Sequence, residues 1–143
     1  MLTLPIPLFV ALILGFLAVR HAVLGDRSLL FLSLLVACTV QAFVISLTQH
    51  YGISQLSLLQ PITAVVAPPL AWLTFQSAAL RRFDLRRDAI HALVPVFTAF
   101  CAFFAPITLD TVLPVIFACY GVAILLRLRT ETTLPFARLD AGP

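Results

Sequence analysis

The distribution of charge constrains this chain most. No charged residue occurs in Met1–Val19, Ser28–Gln49, Tyr51–Leu80 or Thr111–Leu126, and Ala89–Leu109 is interrupted only by His91. About 20 apolar residues in a helix cross the hydrocarbon core of a bilayer, and with no water to bond the backbone a spanning segment must satisfy its own amides. The shortest run, before Arg127, reaches full length because arginine stems lie along apolar surface while their guanidinium groups reach the headgroups. The expected class is all-α, a polytopic membrane protein of about five transmembrane helices. Composition agrees: 62% of the residues are hydrophobic and 10% charged, against roughly 25% charged in a soluble domain.

The runs predict a transmembrane domain over residues 1–128, with helices at about 4–24, 28–47, 61–80, 89–106 and 111–128, followed by a polar, mobile tail or linker over 129–143. Pro5 and Pro7 suit a first turn, where the missing amide has no partner to lose. Gly25 suits a helix end, and Asp26 or Ser28 can accept the free amides of the next helix, so the first two helices form a tight hairpin. Pro68 and Pro69 remove two donors near the middle of the third helix, where a kink or break is expected. The charged stretch Arg81–Asp88 separates helices three and four, and Leu109-Asp110-Thr111 is read as a brief turn. Cys38, Cys101 and Cys119 lie in apolar spans without paired spacing and read as small packing residues.

All nine basic residues are arginine, and they alternate by loop. Arg20 and Arg27 flank the first turn, Arg81, Arg82, Arg86 and Arg87 fill the third, and Arg127, Arg129 and Arg138 follow the last helix; the second and fourth loops have none. By the positive-inside rule the N-terminus is outside and the C-terminus cytoplasmic. Positive charge follows the first apolar run rather than preceding it, unlike a cleavable signal peptide.

No carboxylate falls in the central part of a span, which argues against an ion-coupled carrier. His21 and His91 lie near the same membrane face and His50 on the other, without metal-ligand spacing, so no metal or cofactor is expected. No nucleophile elbow, zinc-protease motif or phosphate loop is present, and no enzymatic activity is expected. The candidate ligand pocket is Gln41 with Trp72 and Gln76 beside the Pro68-Pro69 break, joined by His50 and Tyr51 in the outer loop. Interhelical hydrogen bonding by Gln41, Thr74, Gln76 and Ser77, and headgroup contact by His50 and Tyr51, fit these residue types equally well.

Four segments together resemble a known family: Leu4-Pro5-Ile6-Pro7-Leu8; His50-Tyr51-Gly52 leading to Leu59-Gln60-Pro61; Pro68-Pro69-Leu70-Ala71-Trp72; and Arg86-Arg87-Asp88-Ala89-Ile90-His91. They are similar to the membrane-embedded N-terminal half of AraC-type bacterial transcriptional regulators, and Ala137-Arg138-Leu139-Asp140 is similar to the cytoplasmic linker there. The resemblance implies an inner-membrane sensor or anchor whose DNA-binding domain follows the membrane helices. It implies no catalytic residues. The present residues contain no helix-turn-helix, so the chain reads as a fragment or truncated relative that makes no nucleic-acid contact itself. Its expected partners are the lipid bilayer, a downstream cytoplasmic DNA-binding domain and a second copy of itself. Two rival readings are a small transporter subunit and a structural or assembly subunit of a membrane complex.

Overall fold

The computed structural model describes residues 5–24, 28–79 and 84–139, and among these there are helices and connecting turns but no strand. Helix α1 spans Ile6–Val23, with Pro5 as its N-terminal cap and Pro7 in its first turn. Helix α2, Leu29–Ile45, starts where the Ser28 hydroxyl accepts the Phe31 amide at 3.4 Å, as the sequence leads one to expect. The other residues assigned to that hairpin turn, Gly25, Asp26 and Arg27, lie outside the described residues.

Helix α2 does not stop at Ile45. It widens into a π-turn over Ser46–His50, and Gly52 then takes φ +69°, the left-handed conformation that glycine adopts without a Cβ clash. A 3₁₀ turn at Ser54–Leu56 leads to α3, Leu59–Ala79. Short α4, Leu85–Asp88, passes through a 3₁₀ turn at Ala89–Ala92 into α5, Leu93–Phe104, and α6 covers Leu109–Leu139.

Helix α3 is the centre of the arrangement, packing against α2, α5 and α6, whereas α1 packs chiefly on α2. Among the described residues only Val65, Thr98 and Ser46 are fully enclosed, and the other buried apolar positions are the small or branched Ala11, Ala18, Ala42, Val44, Cys101 and Ala102 together with Leu35, Trp72 and Leu73. Large apolar side chains point outward, with Phe16 67%, Phe104 75% and Ile107 88% exposed. A soluble monomer does not present such a surface, whereas a lipid environment would accommodate it.

Among the described residues, four helical stretches are long and apolar enough to cross a membrane: Ile6–Val23, Leu29–His50, Arg86–Phe104 and Pro106–Thr130. Helix α3 is not among them. It is less apolar than α1, α2 or α5 because it carries Gln60, Gln76 and three prolines, and neighbours on several sides spare it from contacting lipid all round.

Three sequence expectations need correction. The Pro68-Pro69 break is absent: α3 is helical from Leu59 to Ala79 with both prolines inside it. The carbonyls of Ala64 and Val65, four residues earlier, lose their amide donors. Helix four was expected to start at Ala89, but helical backbone starts at Leu85. There Asp84 Oδ1 accepts the Arg86 amide at 3.1 Å while Asp88 Oδ2 accepts the Asp84 amide at 3.0 Å, a reciprocal N-terminal cap inside what reads as a charged loop. Finally, Asp110 lies in the first turn of α6 rather than in a turn between helices, and α6 continues past residue 128 to Leu139, so much of the expected polar tail is helical.

Buried Ala11 and Ala18 flank Gly15 on α1, and a Cβ built at Gly15 would lie 3.4 Å from Thr39 Cγ2 of α2. Small residues let two membrane helices approach closely where no hydrophobic effect draws them together. Gly15→Ala should therefore be nearly neutral, whereas Gly15→Leu should destabilise the protein by about 1–3 kcal/mol, read as a lower thermal midpoint in detergent.

Candidate functional site

A cavity of about 660 Å³ lies where the second half of α3, the α4–α5 junction and the middle of α6 converge. Trp72 and Gln76 enter it from successive turns of α3. Arg87, Asp88, Ile90 and His91 come from the junction, and Cys119, Tyr120, Ala123 and Arg127 from α6. Positions 119, 123 and 127 are spaced by four and so share one face of the helix. The cavity sits at the Arg-rich end of the molecule.

Its walls are amphipathic. Trp72 is largely buried and lies against Phe75 with ring centroids 6.3 Å apart, forming an apolar wall with Ile90 and Ala123. Facing it, His91 Nδ1 and Tyr120 Oη are hydrogen-bonded at 2.7 Å. Asp88 is 4% exposed, and one of its oxygens is engaged in the α4 cap. The Arg87 and Arg127 guanidiniums bring two positive charges to the same space.

The predicted pocket residues do not converge. Trp72 and Gln76 share the large cavity, but Gln41 does not reach it. Gln41 accepts a short hydrogen bond from Thr63 Oγ1 and lines a separate cavity of about 300 Å³ with Gln60 and Asp110. That site is about 20 Å away along α3, from Thr63 to Gln76. Thr48 Oγ1 donates to Gln60 Oε1 at 3.1 Å in the same region, so the amides there mainly join α2 to α3. His50 and Tyr51 are exposed and contact each other edge-on, with centroids 5.1 Å apart. Ser77 donates to the Thr74 carbonyl at 2.9 Å, while the buried Thr74 hydroxyl has no hydrogen-bond partner among the described residues.

No family model, curated protein or solved structure matches this chain.

His21 and His91, on the same face by sequence, have different surroundings. His21 lies near the Ser28 carbonyl and edge-on to Phe31, and His91 meets Tyr120. Among the described residues no group of three or more His, Cys, Asp or Glu side chains could hold a metal. Of the topology-marking arginines, Arg87 and Arg127 line the large cavity and Arg20 a smaller one beside His21. Arg86 and Arg129 lie outside these cavities, and Arg27, Arg81 and Arg82 lie outside the described residues.

The site residues that sequence reasoning missed are Asp88, Ile90, Cys119, Tyr120 and Ala123, and for His91 it missed the partner. A tyrosine inside an apolar run does carry a signal, since a buried phenol needs a hydrogen-bond partner; its partner 29 residues away in sequence follows no spacing rule. Tyr120→Phe and His91→Phe should each destabilise the fold modestly, and the pair should be non-additive. The expected coupling in a double-mutant cycle of detergent unfolding is about 0.6 kcal/mol, with about 1.7 kcal/mol as the upper end for such bonds in membranes.

Proposed function

We propose that this chain is the sensing and anchoring module of a membrane-bound transcriptional regulator of the bacterial inner membrane, with its N-terminus outside and its C-terminus in the cytoplasm. Its output is a DNA-binding domain joined to, or recruited by, the cytoplasmic end of α6. The chain itself makes no contact with nucleic acid and carries out no chemistry.

The observation that supports this reading best is the course of α6. One face of this helix lines the large cavity through Tyr120, Ala123 and Arg127, and the same helix runs on from its apolar stretch, which ends at Thr130, to Leu139. Those nine further residues extend it by about 14 Å. A ligand that shifts α6 at the cavity moves its far end with it, since a continuous helix transmits displacement along its axis. The resemblance to AraC-type regulators and the alternation of arginines by loop point the same way.

The transporter reading has less support: the prolines of α3 do not interrupt the helix, and no carboxylate lies in the middle of a span for a coupling ion.

Two measurements test the proposal. Translating the native reading frame beyond Pro143 should reveal a helix-turn-helix, and a stop codon there would favour the transporter and assembly readings. Green fluorescent protein fused after Leu139 should fluoresce while alkaline phosphatase fused after Gly52 should be active; the reverse pattern would invert the topology and place the cavity on the outer side.

A further inference from the structure

A second cavity shares the α5–α6 seam with the first. It encloses about 410 Å³, is almost purely apolar, and is lined by Val94 and Phe97 of α5 and by Val112, Val115 and Ile116 of α6. The residue order places the two end to end. On the α5 side the lining passes from Ile90 and His91 to Val94 and Phe97, and on the antiparallel α6 side from Ala123 and Tyr120 to Ile116 and Val112. The hydrogen-bonded pair His91–Tyr120 sits at the junction. One seam thus carries a charged, polar end and an apolar end.

Its length has a natural counterpart. From Val112 to Arg127 is about 22 Å along α6, the depth of one bilayer leaflet with its headgroups, which is half of about 40–45 Å. At the polar end both Arg87 and Arg127 line the cavity. The Asp88 carboxylate beside them is partly committed to the α4 cap. Two arginines suit a phosphate, which takes several charge-assisted hydrogen bonds at once.

We infer that the α5–α6 seam is a binding site for one anionic phospholipid of the cytoplasmic leaflet, its phosphate between Arg87 and Arg127 and one acyl chain along the groove toward Val112. This names a ligand for the sensing module proposed above and rests on that reading for its regulatory meaning only. A lipid seated here touches both α5 and α6, so its presence or absence sets how the seam packs.

Trp72 is the single tryptophan of the chain and lines the polar end of the seam, so its fluorescence reports occupancy. The full chain is placed in phosphatidylcholine nanodiscs doped, at equal mole fraction, with either phosphatidylglycerol or phosphatidylcholine brominated near the carbonyl end of the chain. Phosphatidylglycerol should quench Trp72 the more strongly. Its preference should fall about five-fold for each of Arg87→Gln and Arg127→Gln, with helix content unchanged by circular dichroism. Ala123→Phe, which fills the polar end, should abolish the selective quenching by a different route. Equal quenching by both lipids, or a preference that survives in the double arginine variant, would overturn the site. Relief of quenching by millimolar inorganic phosphate would replace the lipid with a soluble anion and overturn its identity. The assay reads binding alone, so a lost lipid preference together with an in-frame DNA-binding domain would remove the ligand and leave the module standing.

Discussion

Lipid tails are as apolar as leucine, so helices in a bilayer gain nothing by hiding apolar side chains from their solvent, and association must come from close packing and from polar groups that need partners. This constraint organises the whole structure. It explains why the buried positions of α1 are Ala11 and Ala18 rather than its phenylalanines, and why Gly15 stands opposite Thr39. It also explains why α2 and α3 are joined by Gln41 with Thr63 and by Thr48 with Gln60. The bulky side chains face outward because outward is the apolar direction.

The same constraint governs the hydroxyl groups. Ser33, Thr39, Thr98 and Thr130 each donate to the carbonyl four residues earlier, at 2.7–3.0 Å. In water this back-bonding competes with solvent and gains little, but in hydrocarbon it removes a donor that has no other partner. Thr98, with no exposed surface at all, can occupy the interior of the bundle for this reason. The prolines of α3 pose the opposite problem, carbonyls without donors, and they lie in the helix with the most neighbours.

What could be read from the sequence was whatever depends on runs and counts. The all-helical class, the Ser28 cap and the proline-led start of α1 all follow from residue types within a few positions. The α4 cap was hidden because Asp84 and Asp88 sit among four arginines and read as part of a charged loop, although Asp-x-x-x-Asp ahead of an apolar run also fits a helix start. The extension of α6 is not legible because polarity after Leu128 marks the end of the apolar stretch and not the end of the helix. The site was legible in part. Trp72 and Gln76 line one cavity and Gln41 another, and grouping the three presumes a broken α3. An unbroken helix keeps the two ends apart. The pairing of His91 with Tyr120 depends on tertiary structure alone.

Helix α1 leans chiefly on α2, and the contacts between them lie within the first fifty residues of the chain. Every partner that this hairpin needs has therefore been synthesised before α3 leaves the ribosome. Membrane helices insert first and associate afterwards, and contacts this close in sequence form fast. The hairpin can assemble as a unit and wait in the bilayer as a preformed surface on which α3, and through it α5 and α6, is then received.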